Sequence, residues 1–269
     1  MVITSAVAAF LGSLVGLGGG MVLVPILLFV SANFAGFEWA DTQAVVGISL
    51  VAMIFTALAS LRAYMKIKTV DVKTGVLLLT GSIPGSIFGT WLNSVIDSSN
   101  FSIYFGSFIV LVLILLLIDK DKLSQIRKQK PTDRPREFYV KGELHTYYVS
   151  IPISFCISLF IGTLSGLFGI GGGMIAVPLM IILFGIPVQV AIATSMFMIF
   201  FTSLFSSISH AIVGNVEWAY VIYFIIGAMI GGTLGARVNQ MLKSRTLELI
   251  LKLLLTVIAV RLIIEGISN

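Results

Sequence analysis

Hydrophobic and polar positions follow one another in long blocks along this chain. Apolar runs alternate with short polar connections, and a helix that crosses a bilayer needs about 20 mainly apolar residues. We predict eight apolar segments. They cover residues 2–32, 42–61, 74–96, 101–118, 146–184, 188–210, 218–237 and 247–264. The pattern predicts an all-α polytopic membrane protein.

Composition supports the same class. The chain is 58% hydrophobic and 11% charged, whereas soluble domains carry about 25% charged residues. The net charge of +5 comes from basic residues in the connections, as the positive-inside rule produces, so we expect no nucleic-acid partner. The single cysteine, Cys156, excludes an internal disulfide and a cysteine-cluster metal site. The first segment also lacks the basic region and cleavage site of a signal peptide.

A glycine-rich motif interrupts two of the segments. The stretch Gly16–Pro25 reads GLGGGMVLVP, and Gly169–Pro178 reads GIGGGMIAVP 153 residues later. Each glycine costs about 1 kcal/mol in a helix interior relative to alanine, and a broken helix in hydrocarbon leaves polar backbone groups without partners. We therefore predict that each segment is discontinuous, as a re-entrant pair of half-helices or as one kinked span. Matching interruptions in two halves point to a binding site.

The two halves also match outside the glycines. Polar residues recur at an offset of 146 positions. The pairs are Gln43 and Gln189, Ser49 and Ser195, Ser60 and Ser206, Tyr64 and His210, and Asp71 and Glu217. This predicts two homologous four-segment repeats. We assign residues 1–118 and 146–269 to the two transmembrane repeats, and residues 119–145 to a solvated hydrophilic linker on the cytoplasmic side.

Two membrane topologies are compatible with the segments. If all four segments of each half cross fully, the halves are parallel, and the linker and Arg237 lie on opposite sides. If each broken segment enters and returns, each half crosses three times and the halves are inverted. The basic stretches Arg62–Lys73, 119–145 and Arg237–Arg245 then share one side. The inverted arrangement satisfies the positive-inside rule at every connection, and we favour it.

The broken segments carry candidate chemistry for an anion. Half-helices that begin near Met21 and Met174 present free N–H groups and the positive end of the helix dipole. Residues 1–37 have no ionisable side chain, and His210 is the only candidate between residues 146 and 216. An anion would therefore be held by backbone N–H groups and hydroxyls. The predicted substrate-binding residues are Gly18, Gly19, Gly20, Ser49, Gly171, Gly172, Gly173, Thr194 and Ser195.

Other glycines have a structural interpretation. Gly81, Gly85 and Gly89 in the first half correspond to Gly227, Gly231 and Gly235 in the second. Small residues at four-residue spacing let membrane helices approach closely, so we predict that these six positions serve helix packing.

Patterns typical of enzymes are missing from the sequence. It contains no metal-ligand spacing of histidine and cysteine, no phosphate-binding glycine-lysine loop and no Gly-x-Ser-x-Gly nucleophile turn. We expect no catalytic residues, no metal and no cofactor.

The second glycine motif and its surroundings resemble a known family. The run LSGLFGIGGG at residues 164–173, then Val177-Pro178 and Ala193-Thr194-Ser195, is similar to the signature of the sulfite exporter TauE/SafE family, also called the transmembrane protein TSUP family. The first half carries a weaker copy, with Gly47-Ile48-Ser49 in place of Ala193-Thr194-Ser195. The resemblance implies a multi-pass secondary carrier of the prokaryotic cell membrane, moving small sulfur-containing anions such as sulfite, thiosulfate or organosulfonates. A proton is a candidate coupling ion, and the oligomeric state stays open.

Two other functions stay open at this point. A non-transporting membrane subunit would dock a partner, and only residues 119–145 offer a surface for one. A passive anion channel would use the same glycine breaks without alternating access.

Overall fold

The computed structural model describes residues 1–34, 36–37, 39–96, 101, 104–110, 134–140 and 143–268. The first half contains α1 (Val2–Val15), α2 (Gly20–Asn33), α3 (Thr42–Lys66) and α4 (Val72–Val95). A hairpin of β1 (Arg134–Val140) and β2 (Glu143–Val149) follows. The second half contains α5 (Ile151–Phe168), α6 (Gly173–Phe184), α7 (Val188–Val213), α8 (Trp218–Met241) and α9 (Ser244–Ser268).

Five of these helices are long and apolar enough to cross a membrane: α3, α4, α5, α7 and α8. Helices α1, α2 and α6 are apolar but shorter, with 14, 14 and 12 residues. The prediction of a mostly helical polytopic membrane protein is confirmed for the described part of the chain.

Helix ends follow local sequence rules. The side chain of Asp41 accepts a hydrogen bond from the Ala44 N–H (2.7 Å) at the start of α3, and Asp71 accepts one from the Thr74 N–H (3.1 Å) at the start of α4. These are N-caps, which satisfy otherwise unpaired N–H groups. Helices α1 and α5 end at Gly16 and Gly169, whose φ angles of 80° and 69° are left-handed and suit glycine.

Small residues mediate two close helix pairs, α1 with α8 and α4 with α5. A Cβ atom on Gly227, Gly231 or Gly235 would lie 2.0–2.3 Å from a carbonyl oxygen of α1, and one on Gly81, Gly85 or Gly89 would lie 2.0–2.5 Å from a carbonyl oxygen of α5. The contacts advance in the same order on both helices, so each pair runs parallel. The prediction that these six glycines serve helix packing is confirmed.

Among the five candidate spans, α3 and α7 are the most buried, and they form the centre of the molecule. They pack against each other and against α8 and α4, respectively. In the most apolar 18-residue stretch of each helix, 78% of the residues of α3 and 67% of those of α7 are buried inside the protein. The glycine breaks lie beside them.

The molecule has two distinguishable ends. The C-terminal ends of α3 and α8 lie together, since Arg62, Lys66 and Arg237 line one pocket. The start of α7 is on the same end, where the Gln189 side chain donates to the Leu242 carbonyl at 3.3 Å. We call this end the basic side. At the opposite side, near the starts of α3 and α8, Trp39 stacks on Tyr220 at 4.1 Å.

A β-hairpin occupies part of the region that we assigned to a solvated linker. Strands β1 and β2 pair antiparallel, with Arg134 opposite Val149 and Val140 opposite Glu143. The fifth apolar segment consequently begins as a helix at Ile151 rather than at Thr146. Tyr147 and Val149, two residues apart on β2, are both buried. This alternation is the period-2 pattern of a strand, which the prediction of a linker followed directly by a helix did not include.

The rest of the linker, residues 119–133 and 141–142, lies outside the described residues. So does most of the fourth predicted segment, although residues 104–110 are helical. There Phe105 and Phe108 stack on Phe168 at 5.3 and 5.4 Å, which places this piece beside the end of α5.

Candidate functional site

The chain reverses direction at both glycine breaks. A Cβ on Gly19 would lie 3.1 Å from the Ala8 carbonyl oxygen, and one on Gly172 would lie 2.7 Å from Ile161 Cγ2. Residues eleven positions apart in a continuous helix would be about 16 Å apart. The φ angles of Gly16, Gly18 and Gly19 are all between 80° and 91°, a left-handed conformation that favours glycine. The predicted helix discontinuity is therefore present, and its form is a turn rather than a kink.

The two breaks lie against each other. A Cβ on Gly20 would be 2.3 Å from the Gly169 carbonyl oxygen, and one on Gly173 would be 2.3 Å from the Gly16 carbonyl oxygen. In both cases the atom that a Cβ would meet is a backbone atom of the other break, so neither position has room for a side chain. Each motif thus supplies the surface on which the other rests.

The matched serines join the breaks to the central helices. Ser49 Oγ of α3 is 2.9 Å from the Gly169 carbonyl oxygen, and Ser195 Oγ of α7 is 2.8 Å from the Gly16 carbonyl oxygen. Each hydroxyl is also within 2.8 Å of a carbonyl in its own helix, that of Val46 or Ile192. Both hydroxyl protons are therefore directed at backbone carbonyls in this conformation.

Matched side chains also hold the helices that lead into the breaks. Tyr64 Oη donates to the Ser13 carbonyl, and His210 Nε2 hydrogen-bonds with the Gly166 carbonyl, both at 2.9 Å. One residue further along, Asn239 donates to the Leu14 carbonyl at 2.6 Å and Asn93 to the Leu167 carbonyl at 2.8 Å. The carbonyls of Ser13 and Gly166, and those of Leu14 and Leu167, occupy equivalent places in the two motifs.

Two buried apolar side chains fill the space between the breaks. Met53 and Ile199 lie near the middle of α3 and α7 and are almost fully buried. A Cβ on Gly18 would be 2.5 Å from Met53 Cε and 3.0 Å from Ile199 Cγ2. A Cβ on Gly171 would be 2.0 Å and 3.1 Å from the same two atoms. The same two side chains therefore pack against both breaks.

Unpaired backbone N–H groups remain at the starts of α2 and α6. Within the described part of the chain, the N–H groups of Gly20, Met21, Gly173 and Met174 donate to no acceptor. The first N–H groups of a helix lack intrahelical partners, and they carry the positive end of the helix dipole. The backbone at the breaks can therefore hold negative charge.

Two further hydroxyls beside the second break lack partners among the described residues. Ser203 Oγ and Ser165 Oγ are both buried and unpaired, and Ser203 Oγ would be 3.2 Å from a Cβ on Gly171. The sequence prediction includes neither serine, because a hydroxyl in an apolar segment is conspicuous mainly where it recurs in both halves. The equivalent positions in the first half are Ala57 and Gly12, so no repeat signal marks them.

Thr194 points elsewhere. Its hydroxyl accepts a hydrogen bond from the Asp71 N–H at 3.0 Å, at the start of α4 on the basic side. The structure thus brings together Gly18, Gly19, Gly20, Gly171, Gly172 and Gly173 with Ser49 and Ser195, and it places the Thr194 hydroxyl at a different junction.

That junction is centred on the buried carboxylate of Asp71. Besides capping α4 through the Thr74 N–H and Oγ1, it accepts a hydrogen bond from Tyr147 Oη (2.6 Å) and lies 3.5 Å from Arg136 Nη1. Burial raises the pKa of the Tyr147 hydroxyl, so this hydroxyl is a donor at physiological pH. Asp71 therefore connects α4 and α7 to the hairpin, a role that its position in a short connection did not reveal.

A metal site is not apparent in the described ranges, where no group of three or more histidine, cysteine, aspartate or glutamate side chains could hold an ion. The polar groups at the breaks are backbone amides, carbonyls and hydroxyls.

Five apolar helices around two facing breaks define the class of the protein: a polytopic α-helical membrane protein whose discontinuous helices meet at its centre. A model of the family described as sulfite exporter TauE/SafE matches residues 1–262. The chain belongs to this family.

Curated relatives are named as membrane transporters. The chain is 39% identical over 275 residues to the probable membrane transporter protein YunE of Bacillus subtilis (strain 168), covering 100% of this chain and 98% of that protein. It is 28% identical over 272 residues to a probable membrane transporter protein of Methanocaldococcus jannaschii, covering 96% and 92%. It is also 34% identical over 119 residues to the sulfite exporter TauE/SafE family protein 5 of Arabidopsis thaliana, covering 44% and 25%. No solved structure matches. The protein is a membrane transporter.

Proposed function

We propose that the protein is a secondary transporter of small anions, most favourably sulfur-containing ones, that works by alternating access between two inverted repeats in the cell membrane. The observation that carries the proposal is the reciprocal contact of the two glycine breaks. Each break approaches the other and is joined by a serine from the central helix of the other half.

The direction of the half-helices supports inverted repeats. α1 begins near the start of α8, where the Ser5 hydroxyl donates to the Phe224 carbonyl. This is the side opposite the basic side, and α2 leads back to the same side, where α3 starts. α5 begins at the hairpin on the basic side, and α6 leads back to α7 on that same side. The ends of the α1–α2 pair thus lie on one side of the molecule and those of the α5–α6 pair on the other, as in transporters with inverted-topology repeats.

The charge distribution favours the same arrangement. The stretch Arg62–Lys73, the hairpin and Arg237 share the basic side, which the positive-inside rule assigns to the cytoplasm. If the broken segments are re-entrant, each half crosses three times and both halves place their basic connections there.

The substrate would bind between the breaks once Met53 and Ile199 withdraw. The N–H groups of Gly20, Met21, Gly173 and Met174, which donate to no acceptor among the described residues, would then face the anion. The hydroxyls of Ser49, Ser195 and Ser203 would turn toward it. A site without fixed positive charge binds an anion weakly enough to release it, which a carrier needs at each turnover. The proposed coupling ion is a proton.

Sulfur-containing substrates are proposed from the family. Its description names sulfite export, and the relative from Arabidopsis thaliana carries the same family name. The geometry is compatible, because sulfite and sulfonate oxygens are hydrogen-bond acceptors that suit converging N–H and O–H donors.

Flux into proteoliposomes tests the proposal. Reconstituted protein should take up radiolabelled sulfite or thiosulfate, with saturation, and trans substrate should accelerate exchange. Gly172→Leu should abolish uptake, because Gly172 has φ +74° and a Cβ there would meet Ile161.

Gly214→Leu is the matched control. Its φ of +89° carries the same backbone strain, but its Cβ would meet no atom within 4 Å, so uptake should persist. Uptake that survives Gly172→Leu would contradict the site. Conductance without saturation or trans-acceleration would instead identify a passive anion channel.

A further inference from the structure

A pocket at the basic side lies between α3 and α8, away from the glycine breaks. Its volume is about 330 Å³. Three basic side chains line it: Arg62 and Lys66 from α3, one turn apart, and Arg237 from α8. None of the three forms an ion pair within the part of the chain that the structure describes, and no acidic residue lines the pocket.

The pocket continues into an apolar groove. Ala59 and Ala63 form its α3 wall, and Met229, about two turns before Arg237, lies on its α8 wall. The groove is narrow at its base, since a Cβ on Gly232 of α8 would be 2.7 Å from the Thr56 carbonyl oxygen of α3. An elongated apolar chain can lie along this groove while a charged group remains at the level of the helix ends.

The other half offers an internal comparison. The groove between α7 and α4 is built from positions equivalent to those between α3 and α8 at the offset of 146 residues. Ile208, Ile212 and Trp91 stand there in place of Arg62, Lys66 and Arg237, and all three are exposed. Helix packing is met equally well by apolar residues in this geometry. The three cations are therefore a chemical feature of one groove rather than a requirement of the fold.

We propose that the α3–α8 groove binds an anionic phospholipid of the leaflet on the basic side. The phosphate of the headgroup pairs with Arg62, Lys66 and Arg237, and one acyl chain lies over Ala59, Ala63 and Met229. Arginine presents planar pairs of N–H donors that match phosphate oxygens, and basic pockets between membrane helices on the cytoplasmic side bind anionic headgroups. The occupant contacts both halves, since α3 belongs to the first and α8 to the second.

Native mass spectrometry of the purified full-length chain, released from mixed micelles of phosphatidylglycerol and phosphatidylcholine, tests the proposal. The wild type should retain phosphatidylglycerol over phosphatidylcholine. The double variant R62Q/R237Q should lose that preference, with apparent affinity weakened at least tenfold. K243Q/R245Q is the matched control, because it removes two cations from the same side that do not line the groove, and it should retain the lipid.

Two results would overturn the proposal. Equal retention of phosphatidylglycerol by wild type and R62Q/R237Q would show that the groove is not the site. Displacement of the bound lipid by millimolar inorganic phosphate, with equal affinity for short-chain and long-chain phosphatidylglycerol, would identify a site for soluble anions. Because neither readout involves flux, their outcome is separate from that of the transport experiment.

Discussion

At the scale of single residues, crowding and backbone strain contribute separately to the glycine motifs. Gly173 is helical and needs no left-handed conformation, but its Cβ would lie 2.3 Å from the Gly16 carbonyl oxygen. Gly214 has the opposite properties, with φ +89° and open space around it. Gly173 therefore has to be glycine because the contact between the breaks leaves no space for a Cβ, whereas Gly214 favours glycine because of its backbone conformation.

We expect Gly173→Ala to destabilise the protein by about 3 kcal/mol, the upper end of the typical cost of overpacking, because contact with backbone cannot be relieved by a rotamer change. Gly214→Ala should cost only about 1–2 kcal/mol, the penalty of a left-handed alanine. Thermal unfolding in detergent measures both. A similar loss for the two variants would mean that the breaks are less closely packed than the structure shows.

Ser203 offers a test that separates binding from stability. Its hydroxyl is buried without a partner among the described residues, and such a group costs about 1–3 kcal/mol to bury. We expect Ser203→Ala to raise the unfolding temperature while increasing the KM for sulfite by about tenfold, since one substrate hydrogen bond is lost. Ser209→Ala, which removes an exposed hydroxyl bonded within its own helix, should change neither. A higher unfolding temperature with an unchanged KM would exclude Ser203 from the site.

What the sequence reveals at this scale depends on symmetry. Gly20, Gly173, Ser49 and Ser195 could be predicted because each has a counterpart in the other half, and a repeated polar residue in an apolar run is conspicuous. Met53 and Ile199, which close the space between the breaks, differ in type and look like ordinary core residues. Their role depends on which helices meet, and no local pattern specifies that.

At the scale of elements, the carboxylate of Asp71 joins the hairpin to the membrane helices through Tyr147 and Arg136. Tyr147→Phe removes the 2.6 Å hydrogen bond to Asp71, and hydrogen bonds to charged groups contribute about 1.5–3 kcal/mol. We expect limited proteolysis within the hairpin to become at least tenfold faster. Tyr223→Phe, at an exposed position of α8, is the control. Unchanged cleavage in Tyr147→Phe would show that this hydrogen bond does not hold the hairpin in place.

The same contact gives a pH dependence with a definite sign. Burial raises the pKa of Tyr147 above its ordinary value of 10.0, so the folded state holds this proton more tightly than the unfolded state. The contribution to stability is complete below pH 10 and decreases as the pH rises above it. Hairpin proteolysis should therefore accelerate above pH 10 in the wild type, and the acceleration should be smaller in Tyr147→Phe.

Helices were easier to predict than this hairpin for a physical reason. Each long apolar run has to be helical in hydrocarbon, since only internal hydrogen bonds satisfy its backbone. The hairpin contains charged residues on both strands, and its seven-residue strands carry only a weak period-2 signal. Its position depends on Asp71, Arg136 and Tyr147 meeting across 76 residues of sequence, which no local pattern reveals.

At the scale of the whole molecule, the two halves are interlocked. α1 of the first half packs along α8 of the second, and α5 of the second half packs along α4 of the first. The matching motifs of the two halves were visible in the sequence, but this exchange of partners was not. Periodic glycines on Gly81–Gly89 and Gly227–Gly235 indicate that a helix approaches closely, without indicating which one.

Interlocking predicts how the chain behaves when it is divided within residues 119–133. In either half alone, the glycine face of α4 or α8 has no helix to pack against, and the glycine break lacks the break of the other half that it contacts. We expect each half expressed separately to aggregate on extraction. Co-expression should yield one monodisperse complex in which a tag on either half recovers the other. The Gly85→Leu variant of the first half should abolish that recovery, because a Cβ at Gly85 would be 2.2 Å from the Leu159 carbonyl oxygen of α5. Val76→Leu is the control. It changes an exposed position of the same helix and should leave the recovery intact. A half that remains monodisperse alone would mean that the exchanged pairs are dispensable for folding, and the reciprocal contact of the breaks would then be a late docking step rather than part of the core.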